Sequence, residues 1–325
     1  MYMGHLDEAQ QQFLILKENK PDSIDPYLRL ATIYEMKNDL DKALQMANKL
    51  IDIVKDRQDD VSRYYLKKVQ ILRRRKEPEE AIKVLKYIAD KYNYPARKKI
   101  FDVYLQAGMY KEAEKELWKW KWDGEYYDAQ IVLNILKGNY KKAEQLLTAH
   151  GHSIDKWRYR VLVQLLARAK EDYAKEESSC KQWLELNSDI VQVYGHLSYC
   201  MFHQNNKEKQ HEYAHKALEE NEKKLEEYST ERTLYETRKY RLLTLLGRMK
   251  EAEELSEKIR KMPLCENCPY ATCKDLEVFV MEAAEIMGDK EKALLLSRQG
   301  NEEYPDEEDF VIMKNVMERK EKEQC

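Results

Sequence analysis

Residues 211–215 have side-chain types and a spacing that could do metal-dependent hydrolysis. They match H-E-x-x-H, in which two histidines one helical turn apart bind zinc and the glutamate acts as a general base. The repeat register described below argues against this chemistry, because Ala214 falls on the inward side of its helix and leaves His211 and His215 facing solvent. No motif supplies a third ligand. We interpret the segment as an exposed helix face and keep a zinc-dependent enzyme as a less favoured alternative.

The cysteine cluster Cys265, Cys268 and Cys273 is a second candidate for metal chemistry, with the spacing C-x₂-C-x₄-C. The first of these spacings suits tetrahedral zinc, but a closed structural site needs four ligands and only three are local. Cys325 could be the fourth ligand if the tail folds back. Alternatively, the three thiols pack an irregular connection between two helices. Both interpretations stay open, and no other cofactor is expected.

Templates for other enzymatic chemistry are missing from the sequence. The nine glycines are scattered, so no glycine-rich loop can cradle a phosphate, and neither G-x-S-x-G nor a kinase signature occurs. Carboxylates are abundant, but they follow the spacing of a solvated helix face. The sequence therefore predicts that the chain is not an enzyme.

Three alternating tryptophans, Trp118, Trp120 and Trp122, indicate a contact surface rather than catalysis. On a helix the first and third share a face and the second points elsewhere, so at least one indole is expected to be exposed. Tryptophan is enriched in the hot spots of protein interfaces. Core packing at a junction between repeats is the favoured interpretation for two of the three.

A local basic patch is formed by residues 73–76 together with Lys67 and Lys68. Such a patch could bind an acidic peptide, because opposite charges on two partners complement each other. The alternative is a solvated helix face, which is the commoner role of a charge run.

The composition indicates what kind of fold positions these residues. Of 325 residues, nine are glycine and seven are proline, well below average usage, which favours an all-α chain. Hydrophobic residues make up 43% and charged residues 36%, enough for a core beneath a highly charged surface. The net charge of −3 argues against direct binding of nucleic acid. Neither a membrane-spanning apolar run nor a secretory signal is found, so we predict a cytoplasmic protein with free thiols.

A repeat runs through the chain, in which a small residue follows a turn-forming residue after five positions. Asn38 precedes Ala43 in this way, and Gly138 precedes Ala143. The first four intervals between successive alanines are 34, 38, 32 and 30 residues, close to the period of about 34 residues of helix–turn–helix repeats. A degenerate copy spans residues 205–210. The alanines of the other copies are Ala9, Ala43, Ala81, Ala113, Ala143, Ala174, Ala252 and Ala293.

Each copy predicts two helices packed against each other. The turn residue ends the first helix, because the position after a helix end favours left-handed dihedral angles. The alanine then lets the second helix approach the first closely. Since one pair cannot bury its apolar faces alone, neighbouring pairs must stack.

In this pattern the chain resembles the tetratricopeptide repeat (TPR) family over residues 4–305. The early aromatic position of the family's first helix, usually tryptophan, is tyrosine here at Tyr27, Tyr65, Tyr127 and Tyr194. The resemblance implies an α-solenoid, a right-handed superhelix of stacked helix–turn–helix repeats. It implies about eight to nine repeats in residues 1–301, the first of them incomplete.

A C-terminal capping helix is predicted within residues 302–325. It begins with acidic residues, which favour a helix N-terminus. Phe310, Met313, Val316 and Met317 then form a one-sided apolar stripe, and the tail is charged. A solenoid needs such a polar-faced end to stay soluble.

In the TPR family the first helices of successive repeats line a concave surface. The resemblance therefore implies a surface that binds a protein or peptide, with mixed charged and aromatic groups. The family's carboxylate clamp, a set of paired asparagines and basic residues, is not found in register. The residues at the family's inner positions are Gln70, Arg73, Lys98, Asp102, Asp128, Tyr159, Tyr199, His203 and Arg241.

The favoured hypothesis is a non-enzymatic cytoplasmic scaffold that binds a protein or peptide and contacts neither nucleic acid nor membrane. The sequence starts inside a repeat, with Leu6, Ala9, Phe13 and Leu14 on a second helix that lacks its first. This unpaired helix is either a simple capping helix with a frayed end or a surface completed by another chain, which allows a dimer. It also allows an alternative in which the chain is the sensor or co-chaperone half of a larger regulatory protein, whose helix-turn-helix or J-domain effector lies upstream.

Overall fold

The computed structural model describes residues 3–56, 61–121, 123–185, 189–227, 232–262, 270 and 272–324. Within these residues the chain forms helices and no strand, which confirms the predicted all-α class. The helices group into two compact units. Unit 1 comprises Met1–Ala107 and Arg260–Cys273, and unit 2 comprises Gly108–Ile259 and Lys274–Cys325.

The helices are numbered in chain order. Those of unit 1 are α1 (Met3–Asn19), α2 (Ile24–Met36), α3 (Leu40–Val54), α4 (Ser62–Arg74), α5 (Pro78–Tyr92) and α6 (Arg97–Gln106). Those of unit 2 are α7 (Tyr110–Leu117), α8 (Gly124–Leu136), α9 (Tyr140–His150), α10 (Lys156–Ala169), α11 (Tyr173–Leu184), α12 (Ile190–His203), α13 (Lys207–Glu227), α14 (Arg232–Leu245), α15 (Met249–Arg260, whose last residue is in unit 1), α16 (Lys274–Ile286), α17 (Lys290–Glu303) and α18 (Glu308–Gln324). A short 3₁₀ helix, Gly151–Ser153, follows α9. No helix of the described ranges combines the length and apolarity needed to cross a membrane.

A recurring three-residue turn joins the two helices of each pair, and its middle residue has a positive φ angle. The middle residues of these turns in the two units are Asn38, Lys76, Gly138, Glu171, Asn205, Gly247 and Gly288. An aspartate often follows and caps the second helix: the side chain of Asp39 accepts a hydrogen bond from the amide of Lys42 at 3.2 Å. The same cap recurs at Asp172 and Asp289. The predicted helix–turn–helix repeat is thus confirmed, together with its local cause.

Replacement of Asp172 by alanine is expected to lower the free energy of unfolding of unit 2 by about 1 kcal/mol, because the amide of Lys175 loses its cap. All five tryptophans of the sequence lie in unit 2, so unfolding followed by tryptophan fluorescence reports on this unit. Asp172→Asn should retain most of the stability. The exposed Gln182→Ala on the same helix should change it by less than about 0.5 kcal/mol; an equal loss for Gln182→Ala would contradict the capping role.

The small residue predicted at the helix crossing is confirmed in most copies. In one copy the predicted position was wrong. Ala43, Ala81 and Ala143 are fully buried. In the copy after α10 the prediction placed Ala174 at the crossing, but that side chain is exposed. The left-handed turn residue is Glu171, so the crossing position five residues later is Glu176, which has 0% exposure. The register was wrong by two residues, because glutamate rarely occupies either position.

Tyrosines contribute strongly to the core of unit 1. The ring of Tyr65 lies 5.4 Å from that of Tyr87 and 5.9 Å from that of Tyr92, measured between centroids. Leu72 and Leu85 of the same core are almost fully buried. Burial contributes roughly 1.5–3 kcal/mol for each fully buried side chain of this layer, such as Leu72 and Leu85, whereas Tyr87 keeps 42% of its surface exposed.

Candidate functional site

The first helices of the pairs in unit 2 are α8, α10, α12, α14 and α16, and we call the surface that they form the first-helix face of unit 2. Helix α18 lies across this face. It packs on α17, as the predicted cap would, but it also packs on α8 and α10. Its buried residues Ile312, Met313 and Val316 line one narrow cleft with Tyr199 of α12 and Met281 of α16. The chain therefore covers part of this face with its own last helix, and a cavity of 280 Å³ remains between α12, α14 and α16.

Carboxylates at the start of α18 bind cations of the first-helix face of unit 2. Three such pairs are Glu307 with Lys274, Glu308 with Arg158 at 3.7 Å, and Asp309 with Arg168 at 2.5 Å. Further along α18, the Asn315 amide donates to the hydroxyl of Tyr140 at 2.8 Å. Charged pairs thus orient the N-terminal end of the helix, while apolar packing holds its middle.

A buried ion-pair network lies beneath these contacts. Arg168 donates to Glu176 at 2.8 Å and lies 3.8 Å from Glu282, which Arg241 binds through both oxygens at 2.7 and 2.9 Å. Burial raises the pKa of Glu282, although Arg241 and Arg168 oppose this shift. Burial, and then the charges of the two arginines, lower the pKa of His196 well below its ordinary value. The imidazole is therefore neutral, and its Nδ1, 3.0 Å from Arg168, accepts a hydrogen bond.

Three of the predicted binding residues in unit 2 face the chain's own side chains. Tyr199 and Arg241 are 1% and 3% exposed. The Tyr199 hydroxyl donates to Glu285 at 2.5 Å. His203 stacks on Tyr173 at a centroid distance of 4.1 Å, and its Nε2 lies 3.5 Å from the same glutamate. Tyr199 and His203 belong to the packed interior of the unit, whereas Arg241 also lines the cavity between α12, α14 and α16.

The other two predicted residues of unit 2 are partly accessible. Asp128 accepts a hydrogen bond from Nε of Arg158 at 2.8 Å and is half-buried. Tyr159 keeps 38% of its surface exposed. Its ring lies beside Gly151, where an added Cβ would come within 2.4 Å. Partner binding at these two positions stays a prediction.

In unit 1 the corresponding helices are α2, α4 and α6, and they carry a groove of 480 Å³, which we call the unit 1 groove. Its volume is in the range of ligand-binding clefts. The apolar residues of its floor are Leu28, Leu66, Val69 and Val103. The cations that line it are Arg29, Arg63, Lys67, Arg73 and Lys99.

A buried carboxylate behind the unit 1 groove positions the side chains of α4. Glu35 on α2 is 2% exposed, and it binds Nζ of Lys67 at 2.5 Å and the side-chain amide of Gln70 at 2.6 Å. Arg74 lies 3.7 Å from the same carboxylate. These contacts connect α4 to α2, and they neutralise the charge of Lys67.

Sequence reasoning identified part of the unit 1 groove. Gln70 and Arg73, both predicted, line it, whereas the predicted Lys98 is exposed outside the lining, where its neighbour Lys99 takes part. Asp102, also predicted, is half-buried and outside the lining. Arg63 also lines the groove but was not among the predicted residues. Its spacing of four and seven residues from Lys67 and Gln70 is that of one helix face.

Comparison with known proteins adds little to this description. No family model and no curated protein sequence matches the chain. Among solved structures, the TPR domain of P58(IPK) is 16% identical and has a TM-score of 0.28, with 99% of this chain and 95% of that chain covered. Yeast Tom70 is 14% identical, with a TM-score of 0.29 and coverage of 92% and 73%. The Cut9–Hcn1 hetero-tetramer of the APC/C is 11% identical, with a TM-score of 0.43 and coverage of 96% and 60%.

The chain itself shows the features of a TPR-like repeat. A left-handed turn residue recurs with the period of the helix pairs, and a buried small residue follows it after five positions in most copies. The fold is TPR-like. At the identities and TM-scores found, similarity to the solved structures carries no information about the partner or activity of this chain.

In this TPR-like fold the tryptophan motif does not lie on one helix, contrary to the expectation. Helix α7 ends at Leu117, so Trp118 and Trp120 follow it in a turn. Trp118 is 68% exposed, and Trp120 is half-buried. Trp122 lies outside the described residues. A binding hot spot at this turn stays a prediction.

The histidines of the H-E-x-x-H segment lie on α13, where the register predicted them. His215 is exposed, His211 is half-buried and Ala214 between them is fully buried. Glu212 binds Nζ of Lys216 at 2.6 Å across the helix surface. Within the described ranges, no group of three or more histidine, cysteine, aspartate or glutamate side chains could hold a metal ion.

The cysteine cluster is only partly within the described residues. Cys265, Cys268 and Cys325 lie outside them. Cys273 is described and is partly buried immediately before α16. Zinc binding by this cluster therefore stays an untested prediction.

Proposed function

We propose that this TPR-like chain is a non-enzymatic scaffold that binds a segment of another protein in the unit 1 groove. The contrast between the two units carries the proposal. Helix α18 covers much of the first-helix face of unit 2 and leaves a cavity of 280 Å³ between α12, α14 and α16. Helices α2, α4 and α6 carry a larger groove of 480 Å³. Binding surfaces for polypeptides combine an apolar centre with polar and charged groups at the rim. The unit 1 groove has both.

Helix α18 supports the proposal from within the same chain. Ile312 and Val316 are 1% and 5% exposed where α18 packs beside Tyr199 of α12 and Met281 of α16. First helices of these pairs are thus able to pack closely against an additional amphipathic segment. Groove recognition of this kind is common for amphipathic helices.

Replacement of Thr32 by tryptophan is expected to weaken peptide binding at least ~10-fold. Thr32 lines the unit 1 groove, and an indole at this position would fill the space that a bound segment needs. The probes are peptides selected on the whole chain from a displayed random library. Their dissociation constants are measured by fluorescence anisotropy on the wild-type and variant chains.

Lys86→Trp is the matched control, because Lys86 is exposed on α5 and outside the groove lining. Circular dichroism and thermal unfolding verify that both variants fold. The proposal fails if the library yields no binder, or if the selected peptides bind Thr32→Trp as tightly as wild type.

A further inference from the structure

The charges of the unit 1 groove are one-sided. Among the residues that the structure describes, five cations line it and no carboxylate does so. Two of these cations already have acidic partners. Lys67 binds the buried Glu35 at 2.5 Å, and Arg29 lies 3.4 Å from Asp25 where both are well exposed.

The other three cations have no acidic partner in the described part of the chain. Arg63 donates to the Tyr64 hydroxyl, and Nε of Arg73 donates to the side-chain oxygen of Gln106 at 2.5 Å. Both acceptors are neutral. Lys99 is exposed on α6. Three positive charges around an apolar floor create a local potential that concentrates and orients carboxylates.

In unit 2 the first helices of the pairs already bind an amphipathic segment of the same chain, which shows what kind of segment such helices can hold. The segment that covers part of this face starts with three consecutive carboxylates, each bound to an arginine or lysine of unit 2. A buried apolar stripe follows within the next turns, formed by Phe310, Ile312, Met313 and Val316. Carboxylates in a first turn also favour the helix that carries them, because they oppose the positive end of its dipole.

We propose that the unit 1 groove recognises an acid-led amphipathic helix of a partner protein, in which carboxylates in the first turn precede an apolar stripe. This inference rests on the proposed function and specifies its ligand. The carboxylates pair with Arg63 and Lys99, which lie near the starts of α4 and α6. The apolar stripe packs on Leu66 and Val69, which follow Arg63 along α4. Arginine is suited to this role, because its planar group binds a carboxylate through two hydrogen bonds.

The test uses the library peptides whose binding is lost on Thr32→Trp. We expect them to contain clustered glutamate or aspartate, and we expect replacement of these residues by glutamine or asparagine to weaken binding at least ~10-fold. A single proline in the middle of the peptide should weaken binding to a similar extent, because it breaks a helix. Binding should also weaken as the salt concentration is raised.

A charge reversal on the protein provides the second arm. Arg63→Glu combined with Lys99→Glu should weaken binding of the acidic peptides at least ~10-fold. The control is Lys83→Glu combined with Lys86→Glu, which changes the net charge equally on the exposed surface of α5. It should change binding less than ~2-fold.

The failure of this inference differs from the failure of the proposed function. If the groove-dependent peptides are not acidic, or if their amide and proline versions bind as tightly as the originals, the acid-led helix is wrong while groove binding stands. Equal weakening by the two reversed pairs would also overturn it, since net charge alone would then explain the effect. If no peptide depends on Thr32, the proposed function itself is wrong.

Discussion

Replacement of Arg168 by alanine is expected to lower the free energy of unfolding of unit 2 by about 3–5 kcal/mol. The guanidinium binds Glu176 and Asp309 at 2.8 and 2.5 Å and lies 3.8 Å from Glu282. Its removal leaves a fully buried carboxylate at Glu176 without a bound cation, and it breaks one of the three ion pairs at the start of α18. The loss is measured by urea unfolding followed by tryptophan fluorescence.

The pH dependence of this loss distinguishes charge from packing. Burial already raises the pKa of Glu282 above its ordinary value in the wild-type chain, and removal of Arg168 raises it further. A carboxyl whose pKa is raised in the folded state stabilises the fold at low pH and loses this contribution as the pH rises through that pKa. The deficit of Arg168→Ala should therefore grow as the pH rises from below to above the ordinary titration range of a carboxyl group.

Arg298→Ala is the matched control, because Arg298 also binds a carboxylate of α18. Its Nε lies 3.1 Å from Glu318, but both side chains are partly exposed to solvent, at 50% and 33%. An exposed pair of this kind contributes about 0–1 kcal/mol. If the two alanine variants lose the same stability, the network around Arg168 does not hold α18 in place.

Replacement of Gly300 by alanine is expected to destabilise unit 2 by about 1–3 kcal/mol, although alanine is the better helix former. Gly300 lies in α17, and an added Cβ would come within 2.2 Å of ring carbons of Phe310. The ring cannot move without shifting α18. We therefore also expect limited proteolysis to remove the C-terminal helix faster than in wild type.

Gly195→Ala is the control for this prediction, and its expected effect has the opposite sign. Gly195 is also buried in a helix, but its added Cβ would meet only ordinary contacts, 3.5 Å from Arg241. Alanine at this position should raise the stability by about 0.5–1 kcal/mol. Partial rescue of Gly300→Ala by Phe310→Leu would identify the clash as the cause. Equal effects of the two glycine variants would contradict the close packing of α18 on α17.

Much of the fold could be predicted because its determinants are local. A left-handed turn residue, an aspartate cap and a small residue at the crossing lie within six positions, as at Asn38, Asp39 and Ala43. The pattern failed where two of these positions carry glutamate. Glu171 and Glu176 carry no signal of a turn or a close crossing, and the buried Glu176 is tolerated only because Arg168 pairs with it.

The candidate site could be predicted only in part. The inner positions of α4 were found because helical spacing places Gln70 and Arg73 on one face. The choice between Lys98 and Lys99 depends on the rotation of α6 against α4. That rotation is set by side-chain packing, which neighbouring positions in sequence do not encode.

The sequence by itself therefore determined a chain of helix pairs, their turns and their mutual stacking, because each of these follows from residues within one repeat. The tertiary structure alone decided which face is available to a partner. Helix α18 covers part of the first-helix face of unit 2 through contacts such as that of Asp309 with Arg168, 141 positions away. Contacts between residues so far apart leave no periodic trace in a sequence, since either side chain alone resembles a solvated charge.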